Sequence, residues 1–220
     1  MMDPSHSQTT LPNINTPAYW DGVYRQEASS GLVGTDRYSR DYGPIHDVIV
    51  GLVPKGARVL DIACGPGLLC RKIKQRVDGT SVLGVDFSRF MIEQNQRRDQ
   101  ALGVEYRCVD IRNGLAALPG EFDFITMCEI LEHLEQPEQV VATAMGLLKP
   151  GGRFVLSCPH DDGIPDPEHL LTWGHNEVFH LLESYSQTIS FMHFPPPYFH
   201  VWMLAYLDKT SRPGETEEVC

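Results

Sequence analysis

The sequence has no long apolar run, no closely paired cysteines and little positive charge. Each absence narrows what the chain can be. No stretch approaches the ~20 consecutive apolar residues that cross a bilayer as a helix, so no membrane span is expected. Met1–Thr16 is polar and holds no apolar segment flanked by basic residues; it reads as a frayed arm rather than a signal peptide. The six cysteines (Cys64, Cys70, Cys108, Cys128, Cys158, Cys220) are dispersed with no C-x-x-C pair, and are expected to be free thiols in a reducing cytoplasm. Only 18 Lys and Arg stand against 29 Asp and Glu, a formal net charge of −11. That balance disfavours a protein that grips long nucleic acid by its phosphates, although a short terminal nucleotide stays admissible.

What is present suits one domain with a sizeable core: 220 residues, 42% hydrophobic and 21% charged. From Ala57 onward short apolar runs alternate with amphipathic stretches. Strands are expected at Arg58–Ala63, Ser81–Phe87, Val104–Val109, Phe122–Cys128 and Arg153–Cys158. Helices are expected at Gly67–Val77, from an N-cap at Ser88 to about Ala101, over Gln136–Leu148 up to the break Lys149-Pro150-Gly151-Gly152, and near Asn176–Tyr185. This alternation predicts an α/β fold, a doubly wound and mostly parallel sheet with helices on both faces. Two last runs, Thr188–Phe194 and His200–Leu207, are separated only by Pro195–Phe199, too little for a helical crossover. They should pair antiparallel and close a seven-stranded sheet with a C-terminal hairpin. The division expected is a flexible arm over 1–16, a helical cap over 17–56, a Rossmann-like core over 57–208 and a flexible tail over 209–220.

The sharpest motif is Asp61-Ile62-Ala63-Cys64-Gly65-Pro66-Gly67, after a strand and before a helix. A glycine-rich turn lets a ligand approach the backbone, the helix start offers N–H groups, and open parallel sheets bind ligands at their carboxyl edge. A dinucleotide-binding G-x-G-x-x-G would need glycine at position 70, where Cys70 stands, so a nicotinamide cofactor is disfavoured. Asp86 closes the next strand, placed to accept two hydrogen bonds from a ribose diol. Further on, Glu129, Glu132 and His133 would share one face if Glu129–His133 turned helically. Such a group could hold a general base, with His133 the first candidate and His169 the second. It could hold a metal, or simply cap a turn.

Taken in order, V-L-D-I-A-C-G-P-G-L, G-V-D-F-S, C-V-D-I, F-D-F-I-T-M-C-E-I-L-E-H-L and L-L-K-P-G-G-R-F resemble the class I S-adenosylmethionine (SAM)-dependent methyltransferases over about residues 57–158. Ala63 departs from the glycine common in that family. The resemblance implies a methyltransferase with SAM as cofactor and S-adenosylhomocysteine (SAH) as product. It implies Asp61, Ala63, Gly65 and Gly67 near the methionine part of SAM, Asp86 on the ribose, and Phe87 against the adenine. It also places Asp110 and Ile111 at the adenine edge, and Cys128 and Glu129 at the sulfonium end. It makes the N-terminal segment, with Tyr19–Tyr24 and Arg37-Tyr38, a lid. The loop Pro159–Trp173, rich in Pro, Gly, Asp and His at the binding edge, is expected to form a wall of the acceptor pocket.

E-x-x-E-H is similar both to ubiquinone-biosynthesis O-methyltransferases and to metal-dependent RNA 3'-terminal 2'-O-methyltransferases. The second likeness implies Mn²⁺ or Mg²⁺ held by Glu129, Glu132, His133 and His169; the reading preferred here uses His133, Glu129 and His169 catalytically without a metal. The expected activity is methyl transfer to an oxygen or nitrogen of a small molecule, such as a sugar, a phenol or a secondary-metabolite intermediate, by a monomer or homodimer. The alternatives are a metal-dependent methyltransferase for a terminal RNA ribose, and a non-catalytic SAM-binding partner protein.

Overall fold

A computed structural model describes residues 13–31, 42–160, 167–194 and 202–210. Arg37-Tyr38, the middle of the Pro159–Trp173 loop, Pro195–Phe199, His200 and Cys220 lie outside the described residues.

The elements run α1 (Pro17–Ser29), α2 (Gly43–Leu52), β1 (Arg58–Ile62), α3 (Leu68–Arg76), β2 (Ser81–Asp86), α4 (Arg89–Asp99), β3 (Glu105–Cys108), β4 (Phe122–Cys128), α5 (Pro137–Leu147), β5 (Leu148–Pro159), α6 (His175–Leu182), β6 (Ser190–Phe194) and β7 (Trp202–Asp208). The seven strands form one sheet in the order β3-β2-β1-β4-β5-β7-β6. The pairs β1–β2, β1–β4, β2–β3 and β4–β5 are parallel, while β7 runs antiparallel to both β5 and β6. This is the expected sheet with its antiparallel hairpin. Among the described residues no helix is long and apolar enough to cross a membrane.

Local chemistry starts the helices as the sequence suggests. Ser88 caps α4, its Oγ accepting from Met91 N at 3.1 Å. Thr16 caps α1 in the same way, accepting from Tyr19 N at 3.2 Å, with Pro17 in the first turn. Side-chain alternation along the strands builds a core on each face. Leu60, Ile62, Ile125, Met127 and Leu156 pack toward α5 and α6. Val59, Phe124, Val155 and Leu204 pack toward α2 and α3.

Several boundaries differ from expectation. β5 begins at Leu148, not Arg153, because Gly151 N donates to Lys209 O and Lys209 N to Gly152 O, drawing the Pro-Gly-Gly break into the sheet. The same bonds hold Lys209, so the expected loose tail over 209–220 is fixed at its start. The arm over 1–16 is likewise fixed at its end: Asn15 is buried, and its Nδ2 donates to Glu168 O at 2.7 Å.

Candidate functional site

The turn from β1 to α3 is held open by carboxylates beneath it. Asp86 Oδ2 accepts from Gly65 N at 2.9 Å and its Oδ1 from Ser88 N at 2.9 Å. Asn95 Nδ2 donates to Gly65 O at 2.7 Å, so both polar atoms of that peptide region are tied down. Asp61 accepts from Thr126 Oγ1 at 2.7 Å and from the Cys70 thiol at 3.1 Å. Burial pushes the carboxyls of both Asp61 and Asp86 up to about 6. An ionised carboxylate has about four lone-pair sites, so the two backbone donors leave Asp86 capacity for more.

The turn needs left-handed backbone. Gly67 has φ +67°, and a Cβ there would lie 2.5 Å from Tyr106 Oη. Ala63 takes φ +58° despite its Cβ, a conformation that costs free energy and is held by its surroundings.

Two cavities open at this carboxyl edge of the sheet. The smaller is lined by Ala63, Asp86, Phe87, Asp110, Ile111 and Arg112 on the sheet side. Arg112 grips both oxygens of Asp110 (Nε–Oδ1 2.8 Å, Nη2–Oδ2 2.6 Å), which holds that carboxyl below its usual range, and lies 5.7 Å over the Phe87 ring. Sequence reasoning missed Arg112, although its place two residues after Asp110 was a usable signal.

Helix α1 and the segment before it close this cavity. Asn13 Nδ2 donates to Glu135 Oε1 (2.8 Å), Trp20 Nε1 to Asn15 Oδ1 (3.0 Å), and Tyr19 Oη to Glu168 Oε1 (2.6 Å). Asp21 Oδ1 accepts from Ser88 Oγ at 2.5 Å, anchoring α1 to the start of α4. Asn13, Asn15, Glu135 and Glu168 carried no recognisable sequence signal, because their bonds join segments more than 100 residues apart.

The second cavity, an open cleft of about 1450 Å³, continues past Trp20, Tyr24, Ala63, Glu129 and His133, which line both. It also takes in Asp61, Gly65, Cys128, Glu132, Glu168 and His169. Burial holds the Cys128 thiol well above its usual range, so it is a neutral wall.

The expected helical face of Glu129, Glu132 and His133 does not form. Glu129 leaves β4 in left-handed backbone at φ +50°, and only a 3₁₀ turn, Leu131–His133, follows. Glu129 instead accepts from Ser157 Oγ at 2.6 Å, a bond from β5 that no local spacing reveals. The residues that do converge are Glu132, His133 and His169, each with a ligand atom within 4.8 Å of the others. Of the four residues expected for a metal, Glu129 stands outside this trio but lines the same cleft. The His133 and His169 rings lie 5.1 Å apart, and Trp20 meets His133 edge-on at 5.4 Å. His133 Nδ1 is 3.0 Å from Glu168 O. A carbonyl only accepts, so Nδ1 carries the proton and a neutral ring keeps its lone pair on Nε2, which lies 3.9 Å from Glu132 Oε1. His160 lines neither cavity; it packs edge-on to His193 at 4.9 Å.

Known proteins resemble this chain in sequence and in fold. Residues 59–152 match the family model of the methyltransferase domain. The chain is 37% identical over 104 residues to a ubiquinone biosynthesis O-methyltransferase of Chromobacterium violaceum, covering 46% of this chain and 44% of that protein. It is 34% identical over 134 residues to a ubiquinone biosynthesis O-methyltransferase of Pseudomonas aeruginosa, covering 56% of each. The chain thus spans about half the length of the curated relatives it matches. Among solved structures, the 1,6-didemethyltoxoflavin-N1-methyltransferase of Burkholderia thailandensis, with 1,6-didemethyltoxoflavin and SAH bound, superposes with a TM-score of 0.66 at 21% identity, covering 96% of this chain and 98% of that one. That likeness is one of fold. The matched domain model and the relatives' shared segment thus make the middle of this chain similar to methyltransferases, and its seven-stranded sheet has the fold of the solved methyltransferase.

Proposed function

We propose that the chain transfers a methyl group from SAM to an oxygen or nitrogen of a small molecule, with a sugar or phenolic hydroxyl as the preferred acceptor. The observation that carries this reading is the continuity of the two cavities through Ala63, Glu129 and His133, which joins the compartment lined by Asp86, Phe87 and Asp110 to an imidazole-bearing cleft. The residues present fit SAM. Asp86 has remaining acceptor capacity for ribose hydroxyls, Phe87 and Ile111 line the compartment for the adenine, and Asp110 stands at its edge. The left-handed turn through Gly65 and Gly67 admits the methionine end beside Asp61 and Cys128.

SAM would supply an electrophilic methyl on its sulfonium, ready for in-line displacement. The chain's own groups would do the rest. Trp20, Tyr24 and α1 cover the junction and exclude water. The Glu168 carbonyl fixes the tautomer of His133, so that Nε2 takes the proton of an acceptor hydroxyl, and Glu132 beside it stabilises the imidazolium that forms. His169 and Glu129 orient the acceptor. Alignment of the two ligands contributes much of the acceleration. In this division residues 17–56 act as the lid and 57–208 as the catalytic core.

A second reading is favoured by one observation, the convergence of Glu132, His133 and His169. Oxygen and imidazole donors suit Mn²⁺ or Mg²⁺ better than a thiolate-seeking metal, and a bound cation would lower the pKa of an acceptor hydroxyl. Acceptor turnover, followed as SAH release with SAM plus sugars and catechols, tests the main reading. Release no faster than the acceptor-free blank across the panel would count against it. Mn²⁺ titrated into the SAH-saturated protein separates the two readings. Binding lost in Glu132→Gln and kept in Glu129→Gln would establish the metal; activity unaffected by EDTA would remove it.

A further inference from the structure

His46, on α2, stands away from the residues discussed so far. It is 8% exposed, lines the larger cleft, and its Nδ1 is buried with no hydrogen-bond partner among the described residues. Buried polar atoms of folded proteins are nearly always paired, and an unpaired one is costly. Most buried histidines gain a backbone carbonyl or a carboxylate; the backbone N–H of His46 is satisfied by Tyr42 O at 2.9 Å, but the ring gains no such partner. The ring stacks on Tyr42, with centroids 6.1 Å apart and planes 20° from parallel. Helix α2 is anchored by the fully buried Ile45 and Ile49 and by Lys72, which ties α3 to α2 through Gly43 O and Asp47. Among the described residues Nδ1 thus has no protein partner, on a ring that lines the cleft shared by Asp61 and Gly65 at one part and His133 and His169 at another.

The charge state of His46 decides what it can bind. Burial and the nearby Lys72 ammonium lower its pKa to about 3, with Asp47 opposing them weakly, so the ring is neutral at any physiological pH. A neutral imidazole offers one N–H and one lone pair, and no charge. A hydroxyl, which both donates and accepts, matches either ring tautomer. Among the described residues, the carboxylates Glu27, Asp61, Glu129, Glu132 and Glu168 line the same cleft and no Lys or Arg does. Both features favour an uncharged hydroxyl over a carboxylate or phosphate.

Resting on the methyltransferase reading above, we propose that His46 is a specificity-determining residue that hydrogen-bonds an uncharged hydroxyl of the acceptor, at the end remote from the atom methylated. The acceptor class is then a neutral molecule bearing at least two hydroxyls, one facing His133 and one facing His46.

Three catechols of one shape test this: 3,4-dihydroxyphenylethanol, 4-ethylcatechol and 3,4-dihydroxyphenylacetate, titrated calorimetrically into the SAH-saturated protein. The expected order is hydroxyl-ended over methyl-ended by about threefold to tenfold, the yield of one hydrogen bond, with the carboxylate-ended probe weakest. His46→Phe should erase the hydroxyl preference and leave SAH affinity unchanged; His46→Gln, which keeps a donor and an acceptor, should retain most of it. Equal binding of the first two probes to the native protein, binding of none of them, or an unaltered preference in His46→Phe would overturn the proposal. So would a loss of SAH affinity in both variants with normal thermal unfolding, which would assign His46 to the cofactor. Failure of the native protein to bind SAH at all would instead strike the methyltransferase reading itself.

Discussion

Ala63 and Glu129 leave the adjacent parallel strands β1 and β4 in the same left-handed conformation, at φ +58° and +50°, and they are the non-glycine residues with positive φ among the described residues. Both line both cavities. Backbone strain is therefore concentrated where the two compartments meet, as expected when a site needs main chain close to its ligand. Replacing Ala63 by glycine should be neutral or raise stability by up to ~1 kcal/mol, while Ala63→Val should cost more than ~1 kcal/mol, because a β-branched residue tolerates this region worst. Thermal unfolding of the two variants checks the sign.

Asp86→Ala should weaken SAH binding more than tenfold by calorimetry. Unchanged binding would remove Asp86 from the ribose site. The variant also frees Gly65 N and Ser88 N, so Asp86→Asn, which keeps one acceptor, should fall between.

The pH dependence of binding and of stability should run in opposite directions. Asp61 and Asp86 titrate near 6 in the fold against the ordinary value of 3.8, because burial disfavours their charge. Between those values the folded state holds more protons than the unfolded chain, so these two groups make the apo-protein more stable as pH falls from 7 toward 4. The ribose diol needs the ionised Asp86, so SAH affinity should fall as pH drops through about 6. Calorimetric titrations and thermal melts at pH 5, 6 and 7.5 compare the two; parallel trends would contradict the account.

His133→Ala should bind SAH as the native protein does and lose about 10²–10⁴-fold in turnover, the usual worth of a positioned base. Full activity would exclude His133 from the chemistry.

Asn15→Ala should speed SAH release by about threefold to tenfold, the loss of roughly one net hydrogen bond, because Asn15 joins Trp20 to the Glu168 carbonyl across the lid. Stopped-flow displacement of SAH measures the rate; an unaltered rate would mean that the lid does not govern release.

Sequence alone determined the α/β alternation, the strand order's parallel core with its closing hairpin, the Ser88 cap and the cofactor loop, since all of these follow from short-range rules. Period-two and period-3.6 patterns are local, and Gly65, Gly67 and Asp86 sit at fixed places relative to strand ends. Tertiary structure decided the rest. The Glu129–His133 segment reads as a helical face, yet Ser157 on the neighbouring strand draws Glu129 away and the chain turns tightly after it. A family likeness groups His169 with Glu132 and His133, but what brings it there is that Leu170 N and Leu171 N both donate to Glu132 O, a contact across some forty residues with no spacing signature. Arg112 on Asp110, Asn15 on Glu168 and the unmatched ring of His46 are of the same kind. Spacing can announce groups that one turn or one strand brings together, but the pairing of polar atoms across the cleft depends on where the lid and loops come to rest on the sheet.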